Sequence, residues 1–215
     1  WPGVNDREAR ATVEAAAGAG ITFFDTAPVY GFGRSEEILG EVLRGSNAVI
    51  ASKCGLVWDR SGKVEHSLSR DSIFRSFESS LRRLNTDRID LYQIHWPDPS
   101  TPMKETMDAL AELRAQGAIR EIGVCNFTAG QLEEACSLGP VASYQGLYNY
   151  LQRGAEDEII PLCREKKVAF LSYSPLAQGL LGGVCREGYI PARSDVRRFN
   201  PLFTDERKFS DSLGE

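Results

Sequence analysis

Short runs of apolar residues alternate along the chain with longer segments of helical periodicity. The apolar runs are continuous and begin 24 to 41 residues apart, which is the spacing of strand–helix repeats. Continuous runs predict strands that are buried on both faces, as in a parallel sheet covered by helices. The predicted strands are Ile21–Thr26, Ala48–Lys53, Ile89–His95, Ile119–Asn126, Ser143–Asn149 and Val168–Ser174.

The segments between the strands carry the start signals of helices. Small polar residues precede amphipathic stretches, and several helices have acidic residues in their first turn, where the helix dipole favours them. The predicted N-terminal caps are Asn5 or Asp6, Ser35, Ser69, Thr101 before Pro102, and Thr128 with Gln131 in a capping box.

Six strand–helix units fit two α/β folds, an open doubly wound sheet and a (β/α)8 TIM barrel. A barrel typically needs about 250 residues, whereas the chain has 215. Six strands alone leave two long unpaired edges, which proteins generally avoid. The chain begins at Trp1 without a methionine and becomes polar after Phe199. The sequence therefore favours one barrel domain over residues 1–215 that lacks its first strand and its C-terminal unit or units.

The composition of the chain indicates which classes of binding partner and which cellular compartment to expect. A net charge of -5 and a pI near 5.3 argue against nucleic acid or an anionic membrane as the main partner. Basic pairs such as Arg82-Arg83 are predicted to be solvated charges. The five cysteines form no CxxC pair, which predicts free thiols in a reducing cytoplasm. With two histidines in the chain, a metal site built from a histidine cluster is not expected.

Polar side chains follow the predicted strands at their carboxyl ends, where parallel α/β proteins collect their chemistry. A single polar residue at a strand end is common, because every strand must leave the core. Aspartate, lysine and histidine on successive strands, with Tyr30 in the loop after the first, form a narrower pattern. The polar strand ends are Asp25, Lys53, His95, Cys125, Asn126, Gln145, Tyr173 and Ser174.

One group of these residues suits the transfer of a proton to a carbonyl oxygen. The phenol of Tyr30 has an ordinary pKa of about 10, and an adjacent lysine ammonium is expected to lower it. Asp25 would keep Lys53 charged and oriented. His95 can hydrogen-bond a carbonyl oxygen and orient it.

Reduction of a carbonyl also requires a hydride source. The amides of Asn126 and Gln145 suit a carboxamide, and Tyr173 could stack on a flat ring. The chain contains no GxGxxG segment. A nicotinamide cofactor would therefore bind without a Rossmann fold.

The chain contains, in order, the segments DTAPVYG, SEEILG, ASK, DLYQIHWPDP, IREIGVCNF, YQGLYNYLQR and LSYSPLAQGLL. Across nearly its whole length it thereby resembles the aldo-keto reductase superfamily. Its motifs are most similar to those of bacterial general-stress and inositol-associated reductases. The resemblance implies a (β/α)8 barrel that binds extended NADPH, with NADH as the alternative. It also implies a catalytic tetrad with Tyr30 as the proton donor, formed by Asp25, Tyr30, Lys53 and His95.

The resemblance further assigns residues to the cofactor. The implied contacts are Asn126 and Gln145 for the nicotinamide amide, Tyr173 for the ring, Ser174, Leu176 and Gln178 along the pyrophosphate, and Arg197 beyond them. Cys125 stands where the family usually has a serine, and a thiol is a weaker hydrogen-bond partner than a hydroxyl. The lysine that usually follows the GLL segment is absent from LLGGVCREG.

Three functional hypotheses follow. The first is an NADPH-dependent reductase of small aldehydes or ketones. The second is a non-catalytic subunit that senses nicotinamide nucleotides, as the potassium-channel β-subunits of the superfamily partly do. The third is an inactive remnant of a reductase. The intact tetrad favours the first hypothesis, and the sequence determines neither the physiological substrate nor the oligomeric state.

Overall fold

The computed structural model describes residues 5–183, 185, 189–193 and 195–204. In chain order the strands are β1 (Phe23–Asp25), β2 (Val49–Cys54), β3 (Leu56–Trp58), β4 (Val64–His66), β5 (Ile89–Ile94), β6 (Ile119–Cys125), β7 (Ser143–Leu147) and β8 (Ala169–Tyr173). The helices are α1 (Asp6–Gly18), α2 (Arg34–Val42), α3 (Arg70–Leu84), α4 (Met103–Ala115), α5 (Ala129–Leu138), α6 (Ile159–Lys166) and α7 (Pro201–Thr204). Short 3-10 segments cover Gly154–Glu156, Ala177–Gly182 and Val196–Phe199. Within the described residues, no helix has the length and apolar character needed to cross a membrane.

Six strands form one parallel sheet in the order β1-β2-β5-β6-β7-β8. Each strand lies beside the one before it, without the reversal of order that marks a doubly wound sheet. The sheet is curled, and in the part of the chain that the structure describes β1 and β8 each pair on one side only. The six predicted strands are confirmed, with ends within two residues of the prediction. The doubly wound alternative is wrong.

The strand register places polar side chains at one end of the sheet. Lys53 pairs with Gln93 across β2 and β5, and Cys125 pairs with Gln145 across β6 and β7. The last four residues of β2 and of β5 are buried, including the polar Lys53 and Gln93. The continuous burial expected from the apolar runs therefore extends to the polar ends of these strands.

Three of the predicted helix caps are present. The side chain of Asn5 accepts a hydrogen bond from the Glu8 amide at the start of α1, and Ser69 caps α3 in the same way. Thr128 and Gln131 form the predicted capping box at the start of α5. These caps satisfy backbone N–H groups that have no partner inside the helix.

Two predicted caps are wrong, one by two residues and one by one residue. Helix α2 begins after Gly33, and the Ser35 hydroxyl instead accepts a hydrogen bond from a threonine hydroxyl at the end of β1. Helix α4 begins after Pro102 rather than at it, because Thr101 donates its hydroxyl hydrogen to Asp98 at 2.7 Å. In both cases a hydrogen bond outside the helix uses the side chain that the sequence pattern assigned to the cap.

An antiparallel hairpin of β3 and β4 follows β2 and was not predicted. Asp59 shapes its turn, because Oδ1 accepts from the backbone N–H groups of Ser61 and Lys63. The hairpin also contacts the loop after β1 through the rings of Phe32 and Trp58, whose centroids are 5.5 Å apart. Its strands are too short to show a clear period in the sequence.

Helices α2 and α3 meet at a small residue and a buried ion pair. A Cβ atom at Gly40 would lie 2.5 Å from backbone atoms of Arg83 and Leu84, so the two helices touch there. Glu36 on α2 is fully buried, and its carboxylate accepts hydrogen bonds from Ser52 Oγ and Arg83 Nε, each at 2.6 Å. The prediction that Arg83 is a solvated charge is therefore wrong, because its partner points inward from another helix.

We expect Gly40→Ala to lower the free energy of unfolding by about 1–3 kcal/mol, because the added methyl group overpacks the α2–α3 contact. Gly130→Ala in α5 is the control, since no atom lies within 4 Å of its new Cβ atom. That change should leave stability unchanged or raise it by about 0.5–1 kcal/mol. Urea unfolding curves compare the variants, and an unaltered midpoint for Gly40→Ala would contradict the close contact.

Arg83→Met should lower the free energy of unfolding by about 3–5 kcal/mol, because it leaves the Glu36 carboxylate buried without its cation. Lys104→Met is the matched control. Lys104 pairs with Asp108 at 2.6 Å with both side chains exposed, so its loss should cost less than about 1 kcal/mol. Equal losses in the two variants, measured by chemical denaturation, would show that the Glu36 pair contributes no more than a surface pair.

Candidate active site

Lys53 is the most deeply buried charged group at the strand ends. Its residue is 0% exposed, and Nζ donates hydrogen bonds to Asp25 Oδ2 at 2.6 Å and to the Thr26 carbonyl oxygen at 2.9 Å. Asp25 ends β1 and Lys53 lies near the end of the neighbouring β2, so the sheet itself brings them together. A buried ammonium needs such partners to stay charged. The predicted pairing of Asp25 with Lys53 is confirmed.

Tyr30 and His95 lie beside this pair. Tyr30 lies in the turn that follows β1. Its backbone N–H donates a hydrogen bond to the Ala27 carbonyl oxygen at 3.0 Å. Its ring meets the His95 ring edge to face, with centroids 5.7 Å apart, and Lys53 Nζ lies 5.4 Å from the centroid of the Tyr30 ring. Tyr30 is 43% exposed and His95 is 9% exposed. The four predicted residues therefore form one cluster with the tyrosine at its open side.

The protonation of this cluster differs from the sequence-based expectation. Partial burial raises the pKa of Tyr30 well above its ordinary value of 10, and the Asp25 carboxylate adds to the rise. The expectation of a lowered pKa is therefore wrong, because burial and the Asp25 carboxylate both disfavour the phenolate. Burial and the charge of Lys53 lower the pKa of His95 from 6.5 to about 3. Near neutral pH the cluster thus holds a protonated phenol, a neutral imidazole and one ion pair.

Asn126 and Tyr173 contact each other next to His95. The Tyr173 hydroxyl donates to Asn126 Oδ1 at 3.0 Å, and Asn126 Nδ2 donates to the His95 carbonyl oxygen at 3.0 Å. Asn126 has a positive φ of 60°, which lets the chain turn sharply out of β6. Two of the predicted cofactor residues therefore lie directly beside the cluster.

Cys125 and Gln145 are paired neighbours on β6 and β7. The Cys125 thiol lies 3.5 Å from Gln145 Oε1 and 3.7 Å from Gln93 Oε1, so its hydrogen can be donated to either oxygen. Burial raises the pKa of Cys125 to about 12, which keeps the thiol protonated. Gln145 Nε2 hydrogen-bonds to none of the residues that the structure describes. A free amide donor is what a carboxamide oxygen requires.

The segment after β8 has an unusual backbone. Ser174, Ala177 and Gln178 have positive φ values of 52°, 47° and 55°, a conformation that residues other than glycine adopt rarely. The side chain of Asn149 fixes the start of this segment, because Nδ2 donates to the Ser174 carbonyl oxygen at 3.1 Å. Leu176 is 59% exposed. Such strain often marks a ligand-binding loop.

Arg197 lies next to this segment. A Cβ atom at Gly179 would be 3.9 Å from Arg197 Nη1. Arg197 binds Asp195 through Nε and Nη2, and Asn200 Nδ2 donates to Gln178 Oε1 at 3.0 Å. The structure therefore brings the Gln178–Gly179 turn next to Arg197 and Asn200, although the two segments are separated in sequence. The guanidinium of Arg197 is thus already paired with a carboxylate of its own chain.

Gln93 was not predicted to be a site residue. It is fully buried in β5, and its Nε2 donates to Asp25 Oδ1 at 3.0 Å. The available signal was a polar residue within the otherwise apolar run of LYQI. Thr26 was also missed, because a contact made by a backbone carbonyl leaves no trace in the residue type.

The curated relatives of this chain include named reductases. The aldo-keto reductase YhdN of Bacillus subtilis is 38% identical over 211 residues, which are 96% of this chain and 63% of the relative. An NADH-specific methylglyoxal reductase of Escherichia coli is 39% identical over 207 residues, 89% of this chain and 64% of the relative. A probable voltage-gated potassium channel subunit beta of Oryza sativa is 36% identical over 201 residues, 87% and 60% of the two chains. The chain thus spans less than two thirds of the length of these relatives.

Solved structures show the same architecture. A glycerol dehydrogenase from Gluconobacter oxydans superposes with a TM-score of 0.90 at 38% identity, covering 99% of this chain and 67% of that one. An aldo/keto reductase from Klebsiella pneumoniae in complex with NADP and acetate superposes with a TM-score of 0.72 at 32% identity, covering 85% and 62%. The sequence profile of the aldo/keto reductase family matches residues 1–214. This chain therefore belongs to the aldo/keto reductase family.

Proposed function

We propose that the chain is part of an NADPH-dependent reductase of small aldehydes or ketones. Its six parallel strands would form the larger part of one (β/α)8 TIM barrel domain, to which residues 1–215 belong. The observation that carries the proposal is the buried Lys53–Asp25 pair, which lies beside Tyr30 and His95 at the carboxyl ends of the strands. Its free thiols suit the reducing cytoplasm.

Tyr30 is the proposed proton donor. The raised pKa keeps its hydroxyl protonated at neutral pH, which is the form that an acid catalyst needs. Lys53 stabilises the negative charge that develops on the phenol oxygen as the proton leaves. His95 is neutral, so it orients the carbonyl oxygen through an N–H hydrogen bond and does not protonate it.

The proposed cofactor site adjoins this cluster. Gln145 has a free amide N–H donor, Asn126 lies beside it, and Tyr173 offers a ring for stacking. NADPH bound there would supply the hydride. The residues proposed to contact its remaining length are Ser174, Leu176, Gln178 and Arg197, with Cys125 beside the amide.

NADH is the alternative cofactor. The Escherichia coli relative is named as NADH-specific, whereas the Klebsiella pneumoniae structure contains NADP. Fluorescence titration of the natural protein with NADPH and NADH tests both, followed by a turnover screen with aldehydes and sugars. Binding of neither nucleotide would refute the cofactor assignment.

A non-catalytic subunit that senses nicotinamide nucleotides is the second candidate. The rice relative named as a probable potassium channel subunit favours it. Both candidates require nucleotide binding, but only the reductase requires turnover. Nucleotide binding without reduction of any carbonyl in the screen would favour the sensing role.

We expect Tyr30→Phe to lower kcat for carbonyl reduction by about 10²–10⁴-fold, the usual contribution of a general acid. Cofactor affinity should be unchanged, because the hydroxyl is assigned to the substrate. Tyr150→Phe is the matched control, since Tyr150 is 62% exposed and outside the cluster. Steady-state kinetics and nucleotide titration measure the two effects. Full turnover in Tyr30→Phe would end the assignment of the proton donor.

The pH dependence follows from the two shifted groups. The pKa of Tyr30 is raised above 10 and that of His95 is lowered to about 3, so neither group titrates near neutrality. We therefore expect kcat for reduction to be flat from about pH 6 to about pH 9. Oxidation of the product alcohol needs the phenolate and should become faster as pH rises. A break in reduction near pH 6.5 that disappears in His95→Gln would contradict the neutral imidazole.

A further inference from the structure

Asp25 is held from two sides, and one of them is Gln93. Lys53 Nζ donates to Oδ2 at 2.6 Å, while Gln93 Nε2 donates to Oδ1 at 3.0 Å. Both carboxylate oxygens are therefore fixed. A carboxylate only accepts hydrogen bonds, so the amide end of Gln93 that faces Asp25 must be its NH₂ group. This fixes the orientation of the amide without ambiguity.

The other end of Gln93 faces the cofactor side of the site. Gln93 Oε1 lies 3.7 Å from the Cys125 thiol, which is also 3.5 Å from Gln145 Oε1. Gln93 therefore lies between the carboxylate that holds Lys53 and the thiol that contacts the predicted nicotinamide amide residue. No other described side chain donates a hydrogen bond to Asp25 besides Lys53 and Gln93.

The space for Gln93 is built into the sheet. Gly123 lies beside it in the strand register. A Cβ atom at Gly123 would lie 2.8 Å from Gln93 Cγ, 3.2 Å from Gln93 Oε1 and 2.5 Å from Ser143 Oγ. The absence of a side chain at Gly123 thus creates the slot that the glutamine fills. Packing of this kind holds a side chain in one rotamer.

We propose that Gln93 is a positioning residue that fixes the Asp25 carboxylate toward Lys53 and couples it to the Cys125–Gln145 pair. The inference rests on the proposed reductase function. Gln93 acts through Asp25 and touches neither the substrate nor the transferred proton. Without it, the carboxylate can rotate and the ammonium loses its fixed distance from Tyr30.

Gln93→Leu keeps the volume of the side chain and removes its hydrogen bonds. The variant is expected to lower kcat by about 10-fold, the effect of losing one hydrogen bond to a charged acceptor. KM for the carbonyl should change little, because the residue does not contact the substrate. Ser143→Ala is the matched control. Ser143 lies in the same buried row, and its hydroxyl has no partner in the described part of the chain, so kcat should stay at the wild-type value.

Gln93→Glu separates positioning from simple packing. Ionised, the new carboxyl repels Asp25, whereas protonated it donates to Oδ1 in place of the lost amide. Two carboxyls in contact raise the pKa of one of them. The kcat of this variant is therefore expected to rise by about 10-fold as pH falls from about 9 to about 6, against a flat wild-type profile over the same range. If Gln93 had only a packing role, the variant would have a lowered melting temperature, and its kcat would not rise at lower pH.

The outcomes distinguish the inference from the function on which it rests. If wild type reduces carbonyls and Tyr30→Phe does not, but both Gln93 variants have wild-type kcat and flat profiles, the positioning role is refuted and the reductase stands. If wild type has no turnover, the reductase function is refuted. Hydrogen exchange of the Gln93 side-chain amide then tests whether Gln93 holds Asp25. Slow exchange in wild type that becomes fast in Asp25→Ala supports the hydrogen bond from Gln93 to Asp25. Equal exchange rates in wild type and Asp25→Ala refute it. If Gln93→Leu does not fold, the nearly isosteric Gln93→Glu still gives the deciding pH profile.

Discussion

The buried ammonium of Lys53 is the constraint on which the site depends. A charge without water around it is costly unless partners compensate for the lost hydration. Asp25 and the Thr26 carbonyl oxygen provide that compensation, and both come from the end of β1. The parallel pairing of β1 with β2 must therefore keep its register, because a shift by one residue would turn Lys53 to the opposite face of the sheet.

The partial burial of the site determines the protonation of the neighbours. It favours the uncharged forms of Tyr30 and His95, so the phenol keeps its proton and the imidazole remains neutral. The cluster then contains one compensated ion pair and two neutral hydrogen-bond donors. The phenol therefore carries the proton that the proposed reduction would transfer, although burial makes it a weaker acid than a free tyrosine. This resting protonation state is the one that the proposed reduction requires.

The sequence predicted the larger elements and most of the cluster. Continuous apolar runs are long enough to identify six strands, and residues at consecutive parallel strand ends must meet at one edge. Two of the misses share a cause. The role of Arg83 depends on Glu36 from another helix, and the role of Gln93 depends on the empty slot at Gly123. The sequence pattern of one element carries no information about the side chain that a second element places against it.

The sequence by itself determined the strand–helix alternation, the polar strand ends and, through its motifs, the family. Only the tertiary structure decided how the pKa values of the neighbouring groups shift. Lys53 was expected to lower the pKa of Tyr30, yet burial and the Asp25 carboxylate raise it, and the phenol is a weaker acid in the resting state. The physical reason is that a pKa depends on distances and burial, which are set when the strands pack and are absent from the order of the residues.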